Sequence, residues 1–538
     1  NPAGGNEIID HPVQFRGLCD NVSCELAILV AKTRTVSESE RESVDAGERR
    51  AQFMRKVGNE VISRLSKRPF TRERLLKTAR ILTTTGTPSV QDDQHERNEE
   101  EHHEPDRIGD PPQASPGKED RETVIIQNHL DMVTVKTGDK EHDFYRDALD
   151  LQVDGDWLRA DRTTLGADNG IGCAAALALM STPGLSHPPL ELLFTVDEET
   201  GLGGALNLDA SMLSGTRMLN LDTEDWNELY VGCAGGGGWE LRRDFATAPV
   251  PGDWEHWQLE LSGLAGGHSG IQIHQQLGNA IKLLADFLAG FCAGDASLRL
   301  SGFDAGIAHN VIPREGRATF STPPGCEQSL RARIDACSAT WRGYLPAADE
   351  GLRLELSPAA TPPAELLDAD ATRSLLDVIA LFPHGAQAYS LEQPADLVDL
   401  SINLAIARLD AASLFVESSF RFFNEEQSQP LQRSVEALAR TCGLTVTPVA
   451  GYPGWQPDFA SPLLARGIAL HERLFGEPPA VKAIHAGLEC GILKSKKPDI
   501  DILSFGPTIR GAHSPGERVE IATVPPFWQL LVALLDEM

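Results

Sequence analysis

Two ionisable residues, His129 and Asp131, follow an apolar run and are separated by a single leucine. Residues i and i+2 of an extended chain point to the same face, so these two side chains can approach a common point. An imidazole and a carboxylate in this arrangement can bind a metal ion. A surface turn explains an isolated pair at least as well. The interpretation therefore depends on whether the chain supplies further ligands.

Further candidates stand at the ends of other predicted elements. Asp168 precedes an alanine-rich helix, Glu198 and Glu199 close LELLFTVDEETG, Asp222 closes MLNLDTED, and His485 follows another extended segment. Helix capping alone can account for Asp168, and surface charge for any single acid. Together, two histidines and several carboxylates form a hard nitrogen and oxygen ligand set. This set suits a pair of divalent ions sharing a carboxylate, with Zn²⁺ the best fit.

The segments that carry these residues alternate between strand and helix patterns. ETVIIQNHL, LELLFTVDE and RMLNLDTED predict buried strands, and NGIGCAAALALMS predicts a helix. This alternation predicts an α/β fold with a mostly parallel sheet and helices on both faces. In such sheets, functional groups gather beyond the carboxyl ends of the strands, which is where the polar candidates fall.

Composition limits the class of protein. A chain of 538 residues predicts two or more domains. The net charge of −30, from 78 acidic and 48 basic residues, argues against a nucleic-acid partner. Nine cysteines without C-x-x-C pairs indicate a reduced, cytoplasmic protein. No apolar stretch approaches the roughly 20 residues that span a bilayer, so no membrane partner is expected.

The N-terminal region differs from the rest of the chain. Residues 91–120 are acidic, rich in proline and poor in large apolar side chains, which predicts a disordered insertion. Apolar residues at helical spacing predict a helix over residues 49–82. The first 30 residues lack the pattern of a signal peptide, but the chain begins at Asn1, so a preceding leader stays open.

Several longer segments resemble those of one enzyme family. NHLDMV, TTLGADNGIG, DEETG, LDTED, GCAGG, GGHSG, GYPGWQPD, HAGLECG and GPTIRGAHSP occur in the order found in aminoacyl-histidine (Xaa-His) dipeptidases. These belong to the aminoacylase and carboxypeptidase G superfamily of dinuclear zinc exopeptidases. The resemblance covers residues 122–538 and implies a zinc-exopeptidase catalytic domain with an inserted α+β lid and dimerisation domain. The implied boundaries are a divergent region at 1–121, catalytic segments at 122–236 and 426–538, and the lid at 237–425.

The resemblance also implies a role for each candidate in the catalytic domain. Two Zn²⁺ ions per subunit are expected, with Co²⁺ or Mn²⁺ as substitutes, and Asp168 bridges them. The implied ligands are His129, Asp168, Glu199, Asp222 and His485, and their division between the two ions stays open. The Asp131 carboxylate is expected to fix the tautomer of His129. Glu198 is expected to act as the general base.

Four further residues receive roles from the same resemblance. His268, in GGHSG, is expected to reach the active site of the partner subunit in a homodimer and to stabilise the oxyanion. Asn310 and Arg421 are expected to hold substrate, because the guanidinium of Arg421 suits a free carboxylate. His513, in GAHSP, is expected to contact the oxyanion or the carboxylate. A loop histidine without function remains the alternative for His268 and His513.

The predicted activity is hydrolysis of dipeptides of the Xaa-His type, such as β-Ala-His, by a water that two zinc ions activate. A related amidohydrolase, of the aminoacylase or tripeptidase type, would use the same ligand set with a different substrate pocket. A non-catalytic binding protein on the same scaffold is the third alternative. The intact ligand set together with Glu198 argues against it.

Overall fold

The computed structural model describes residues 80–83, 107–108, 114–144, 146–292, 298–391 and 397–538. The chain divides into two compact units. The first unit comprises the described residues up to Val231, together with Asp458–Lys482 and Leu488–Met538, and the second comprises Gly232–Pro457 and Ala483–Gly487. As predicted, one unit interrupts the sequence of the other. The second unit, however, continues to Pro457 rather than ending at residue 425.

The first unit is built on a sheet that is mostly parallel. Its early strands are β1 (Arg80–Thr83), β2 (Arg107–Ile108), β3 (Val124–His129), β4 (Leu151–Asp154), β5 (Trp157–Ala160), β6 (Leu190–Thr195), β7 (Arg217–Asn220) and β8 (Glu228–Cys233). The late strands are β22 (Ala480–Ile484), β23 (Asp501–Ser504), β24 (Ile509–Arg510) and β25 (Arg518–Glu520). The main sheet has the order β2-β1-β6-β3-β7-β23-β8-β22, and β24-β25-β5-β4 form a small second sheet.

Burial explains why the central strands carry continuous apolar runs. β3 and β6 are buried along their whole length, as expected where helices cover both faces of a parallel sheet. Among the described residues, the helices of this unit are α1 (Ala167–Ser181), α2 (Gly203–Leu206), α7 (Pro462–Phe475), α8 (Glu489–Lys496) and α9 (Val524–Glu537). The expected α/β class with a mostly parallel sheet is confirmed.

The second unit is a large antiparallel sheet covered by helices. Its strands are β9 (Gly235–Asp244), β10 (Thr247–Pro249), β11 (Glu255–Ser262), β12 (Gly267–His268), β13 (Arg299–Ala305), β14 (Val311–Ile312), β15 (Gly316–Thr322), β16 (Arg353–Pro358), β17 (Glu365–Leu367), β18 (Gly385–Tyr389), β19 (Val398–Asp410), β20 (Ser413–Phe422) and β21 (Thr445–Tyr452). The sheet has the order β16-β11-β15-β13-β19-β20-β9-β21, with β18 also paired to β19.

Four helices share one hydrophobic core with this antiparallel sheet. They are α3 (Ala280–Cys292), α4 (Glu327–Arg342), α5 (Ala369–Leu381) and α6 (Glu425–Thr441). β21 pairs with β9, and apolar residues of α6 such as Val435 pack into the same core. These contacts explain why the second unit includes residues beyond 425.

Two predictions concern segments of the N-terminal region that the structure describes only in part. Most of residues 49–82 and 91–120 lie outside the described residues. Residues 80–82, predicted as the end of a helix, belong to β1, which pairs in parallel with β6. Within the predicted disordered insertion, Arg107–Ile108 pairs with β1, and residues 114–120 form turns in which the Ser115 hydroxyl donates to the Leu185 carbonyl at 2.8 Å. These segments are ordered because the sheet edge and a neighbouring loop supply hydrogen-bond partners.

Candidate metal centre

The parallel pairing of three strands brings the predicted ligands of the first unit together. His129 is the last residue of β3 and pairs in register with Thr195, the last residue of β6, shortly before Glu198 and Glu199. β7 pairs with the other side of β3 and ends two residues before Asp222. The carboxyl ends of these strands therefore share one edge of the sheet, where each polar side chain emerges next to the others.

His129 is the centre of the first ligand group. Its side chain is 1% exposed, and its Nδ1 lies 3.0 Å from the main-chain carbonyl of Asp131. Its Nε2 lies 3.1 Å from Asp168 Oδ1 and 3.2 Å from Asp222 Oδ1. If the Nδ1–H donates to the carbonyl, Nε2 carries a lone pair, and that lone pair faces two carboxylates. A cation would therefore fit between these three side chains.

Asp131 lies beside His129 and also contacts the loop that carries the two glutamates. Its carboxylate oxygen Oδ1 lies 3.6 Å from His129 Nδ1, which is beyond hydrogen-bond range. The carboxylate instead accepts from the backbone N–H groups of Glu198 and Glu199, at 3.3 and 3.1 Å. The Asp131 main chain thus orients the imidazole, and its side chain fixes the loop that carries the two glutamates.

His513 completes a second ligand group. Its Nε2 lies 2.9 Å from Glu199 Oε2 and 3.3 Å from Asp168 Oδ2. Its backbone has a φ of 63°, an uncommon conformation for a residue with a side chain. Sequence reasoning placed His513 among the substrate contacts. No periodicity or spacing links it to Asp168, so only the resemblance of GPTIRGAHSP to the family indicated a function for it.

The residues present fit a pair of divalent cations. Ligand atoms within 4.8 Å of one another come from His129, Asp168 and Asp222 in one group and from Asp168, Glu199 and His513 in another. The two groups share Asp168, which contributes one oxygen to each. Glu199 Oε1 and Asp222 Oδ1 are buried and accept no hydrogen bond from any residue that the structure describes. Buried carboxylate oxygens that accept no hydrogen bond are the expected ligands of a hard cation.

The electrostatics of the histidines support the same conclusion. Burial would lower the pKa of His129, but the charge of Asp222 and contacts with Asp131 and Asp168 outweigh it and hold that pKa well above its ordinary value. Hydrogen bonds with Asp168 and Glu199 raise the pKa of His513 to about 11. The carboxylates therefore favour the protonated form of both imidazoles. Divalent cations bound between these side chains would neutralise the same negative charge.

Glu198 lies at the same edge of the sheet. One of its carboxylate oxygens lies within 4.8 Å of ligand atoms of His129 and Glu199. Burial raises the pKa of Glu198 well above its ordinary value, and the nearby charges of Asp222 and Glu489 raise it further. A carboxyl group beside possible metal ligands is placed to accept and release a proton.

The remaining predicted residues lie in the second unit. His268 belongs to β12, and its Nδ1 accepts from the backbone N–H groups of Gly270 and Ile271 at 3.2 Å each, so its Nε2 carries the hydrogen. The main-chain carbonyl of Asn310 accepts a hydrogen bond from the backbone N–H of Ser269 at 2.9 Å. Both residues therefore stand on the paired strands β12 and β14 or directly beside them.

Arg421 and His485 are buried and lie on either side of a glycine. A Cβ on Gly270 would lie 2.1 Å from the His485 carbonyl, 3.0 Å from Arg421 Nε and 3.1 Å from His268 Cε1, so only glycine fits there. Arg421 is 8% exposed, and its Nη1 donates to the Tyr452 hydroxyl at 3.1 Å. Its Nε finds no hydrogen-bond partner among the described residues. A buried guanidinium with an unused donor is a natural anion site.

His485 differs in environment from the histidines of the first unit. Its Nε2 lies 2.7 Å from the Ser401 hydroxyl, within the second unit. Burial lowers the pKa of His485 to about 3, and the positive charge of Arg421 contributes to that shift. A neutral imidazole beside an arginine is suited to hydrogen-bonding an anion. Its predicted role as a metal ligand stays a prediction.

Groups of nitrogen and oxygen side chains at the carboxyl edge of a mostly parallel sheet are an arrangement that metallohydrolases use to hold metal ions. The chain belongs to peptidase family M20/M25/M40, whose family model matches residues 125–537. This match confirms the family relationship inferred from the sequence motifs.

Two similar proteins extend the comparison. The cytosol non-specific dipeptidase of Escherichia coli (strain K12) is 37% identical over 425 residues, which cover 79% of this chain and 87% of that protein. The crystal structure of aminoacylhistidine dipeptidase from Vibrio alginolyticus superposes with a TM-score of 0.70 at 36% identity, over 79% of this chain and 86% of that one. Among the residues that the structure describes, no helix has the length and apolar character needed to cross a bilayer.

Proposed function

We propose that this protein is a dipeptidase that hydrolyses Xaa-His dipeptides, such as β-Ala-His, with two Zn²⁺ ions per subunit. The observation that carries the proposal is the pair of ligand groups that share Asp168. The names of the two similar proteins, a non-specific dipeptidase and an aminoacylhistidine dipeptidase, support the substrate class. By the same analogy, we propose a cytoplasmic homodimer.

We further propose that His513, rather than His485, is the second histidine ligand. His513 lies with Asp168 and Glu199, whereas His485 contacts Ser401 in the second unit. His129, Asp168 and Asp222 would then hold one ion, and Asp168, Glu199 and His513 the other. This assignment gives each ion one imidazole, one carboxylate of its own and one shared carboxylate.

When bound, the ions would polarise the peptide carbonyl and make water acidic enough to lose a proton near neutral pH. Glu198 accepts that proton and later delivers it to the nitrogen of the leaving amine. Its raised pKa suits both transfers, because the group must hold the proton between them. The Asp131 carboxylate holds the backbone N–H groups of Glu198 and Glu199 and so keeps the base beside its neighbouring ligand.

The family resemblance is the basis for proposing substrate contacts for residues of the second unit. Arg421 offers a buried cationic donor for the terminal carboxylate, and His485 offers a neutral imidazole beside it. His268, with hydrogen on Nε2, can donate to an oxyanion in the partner subunit's site. Asn310 is proposed as an additional substrate contact.

Hydrolysis of a peptide panel tests this proposal directly. The panel contains β-Ala-His, other dipeptides, a tripeptide and an N-acetyl amino acid, each with and without a chelator. We expect cleavage of the dipeptides, loss of activity with chelator, and recovery when Zn²⁺, Co²⁺ or Mn²⁺ is restored. Preferential cleavage of the tripeptide or the acetyl amino acid would favour the related amidohydrolases. Absence of hydrolysis of every compound in the panel, even after Zn²⁺, Co²⁺ or Mn²⁺ is added, would favour a binding protein.

A further inference from the structure

The start of α1 lacks a capping side chain of its own. The residue before the helix is Gly166, with a φ of 71°, and glycine has no side chain that could cap the helix. The first N–H groups of a helix have no partner within the helix and need an acceptor from elsewhere. The need is acute at α1, because its second residue is Asp168, the carboxylate that both ligand groups share.

A glutamate from the other end of the sequence supplies that acceptor. The carboxylate of Glu517 is 2% exposed and accepts four consecutive backbone N–H groups. Oε2 accepts from Leu165 and Gly166 at 2.7 and 2.9 Å, and Oε1 accepts from Ala167 and Asp168 at 2.7 and 3.3 Å. Each oxygen thus receives two hydrogens. An ionised carboxylate meets this demand because it is acceptor-only on both oxygens.

The same glutamate terminates the loop that carries His513. The Glu517 N–H donates to the Ser514 carbonyl at 3.0 Å, and the Ser514 N–H donates to the Gly511 carbonyl at 3.2 Å. The loop runs between β24 and β25, which pair with each other, and β25 also pairs with β5. The backbone of His513 is therefore anchored at both ends of a short, internally hydrogen-bonded segment.

We propose that Glu517 is a positioning residue, whose carboxylate sets the distance between Asp168 and His513 by joining the two segments that carry them. It touches neither substrate nor the proposed ions. Without it, four N–H groups at the Asp168 segment lose their acceptor, and the His513 loop loses its tie to that segment. The inference rests on the proposed metal-dependent function and deepens it.

The expected effect is on metal binding rather than on folding alone. Removing a partner that orients metal ligands typically weakens metal affinity or activity by about 10- to 100-fold. In Glu517→Gln, one oxygen becomes an NH₂ group that faces two N–H donors. Glu517→Asp keeps the charge, but its side chain is one methylene shorter, so the carboxylate lies farther from the four N–H groups. We therefore expect the affinity of Glu517→Asp for metal to lie between those of Glu517→Gln and the wild type.

Glu191 provides a matched control in the same unit. It is 0% exposed, and its carboxylate accepts the backbone N–H of Ser214 at 3.0 Å, the Ser214 hydroxyl at 2.8 Å and the Gly215 N–H at 3.1 Å. It stands near the beginning of β6, whereas the metal ligands follow the end of that strand. Glu191→Gln should therefore lower thermal stability as Glu517→Gln does but leave metal affinity unchanged.

Cobalt titration of the full-length metal-free protein tests the inference. Co²⁺ is added to wild type, Glu517→Gln, Glu517→Asp and Glu191→Gln, with visible absorption reporting binding and circular dichroism reporting unfolding. We expect about 10- to 100-fold weaker Co²⁺ affinity for Glu517→Gln, partial rescue in Glu517→Asp and wild-type affinity for Glu191→Gln. If Glu517→Gln does not fold, Glu517→Asp decides the question by the same comparison.

Two results would overturn the inference alone. One is wild-type Co²⁺ affinity in the Glu517 variants that fold, and the other is an equal loss of affinity in Glu191→Gln, which would show that lowered stability accounts for it. Absence of Co²⁺ binding by the wild type would overturn the proposed function, and this inference with it. The wild-type titration therefore separates the two failures.

Discussion

Asp168 Oδ2 lies 3.3 Å from His513 Nε2, although the second unit separates the two residues in the sequence. The other oxygen of the same carboxylate lies 3.1 Å from His129 Nε2. One carboxylate thus stands between two imidazoles, each with a further carboxylate beside it. This relationship is the basis of our proposal that Asp168 bridges two cations and that His513 is a metal ligand.

We expect His513→Ala and His485→Ala to have different effects. His513→Ala should lower metal content towards one ion per subunit, because one ligand group retains only Asp168 and Glu199. His485→Ala should keep both ions and raise KM, since His485 lies beside Arg421. Metal analysis after dialysis, together with steady-state kinetics, distinguishes the variants. The reverse pattern would restore His485 as the ligand.

Glu198→Gln should keep its metal content and lose turnover. The amide has nearly the same shape but cannot take a proton from water, and general acid–base catalysis is worth about 100- to 10,000-fold in rate. We expect kcat to fall by at least about 100-fold while KM changes little. The measurements are kcat with β-Ala-His and metal content. Loss of both ions in this variant would instead indicate that Glu198 is a ligand.

Subunit complementation tests the role of His268. If this residue serves the partner subunit's site, mixing inactive Glu198→Gln with inactive His268→Ala should restore part of the activity. A heterodimer would then contain one site with both groups intact. Exchange of subunits is verified with two affinity tags. Heterodimers that form but remain inactive would indicate that each site is complete within one chain.

Arg421 should bind the free C-terminal carboxylate of the substrate. Amidation of a dipeptide would leave the buried guanidinium without its partner, a penalty of roughly 2–5 kcal/mol. At 1.4 kcal/mol per tenfold, kcat/KM should fall on the order of 30-fold or more for β-Ala-His amide. Arg421→Met should be poor with the free dipeptide and discriminate much less against the amide. Arg421→Lys, which keeps the charge without the bidentate fork, is the matched control.

Equal cleavage of β-Ala-His and its amide by the wild type would contradict a carboxylate clamp at Arg421. A broader amidohydrolase would then be the better interpretation. Retention of discrimination by Arg421→Met, with lower overall activity, would place the carboxylate contact on another residue.

Much of the metal centre could be predicted from local sequence. The buried runs that end at His129, Thr195 and Asn220 predict parallel strands, and parallel strands bring the residues after them to one edge. Asp168 could be placed at the start of α1 because a glycine and an alanine-rich run surround it. These features depend on periodicity and order along the chain, which a sequence displays directly.

Tertiary structure decided the contacts that depend on distant segments and on main-chain geometry. The sequence by itself determined the α/β class, the inserted unit and the residue types of the ligand set. Only the fold placed residues 80–83 in the sheet and extended the second unit to Pro457, because strand pairing between distant segments fixes both. Only the fold brought His513 and Glu517 to Asp168 and turned the Asp131 carbonyl towards His129. A loop residue carries no periodic signal, so its partners are set by the packing of the strands on either side of it.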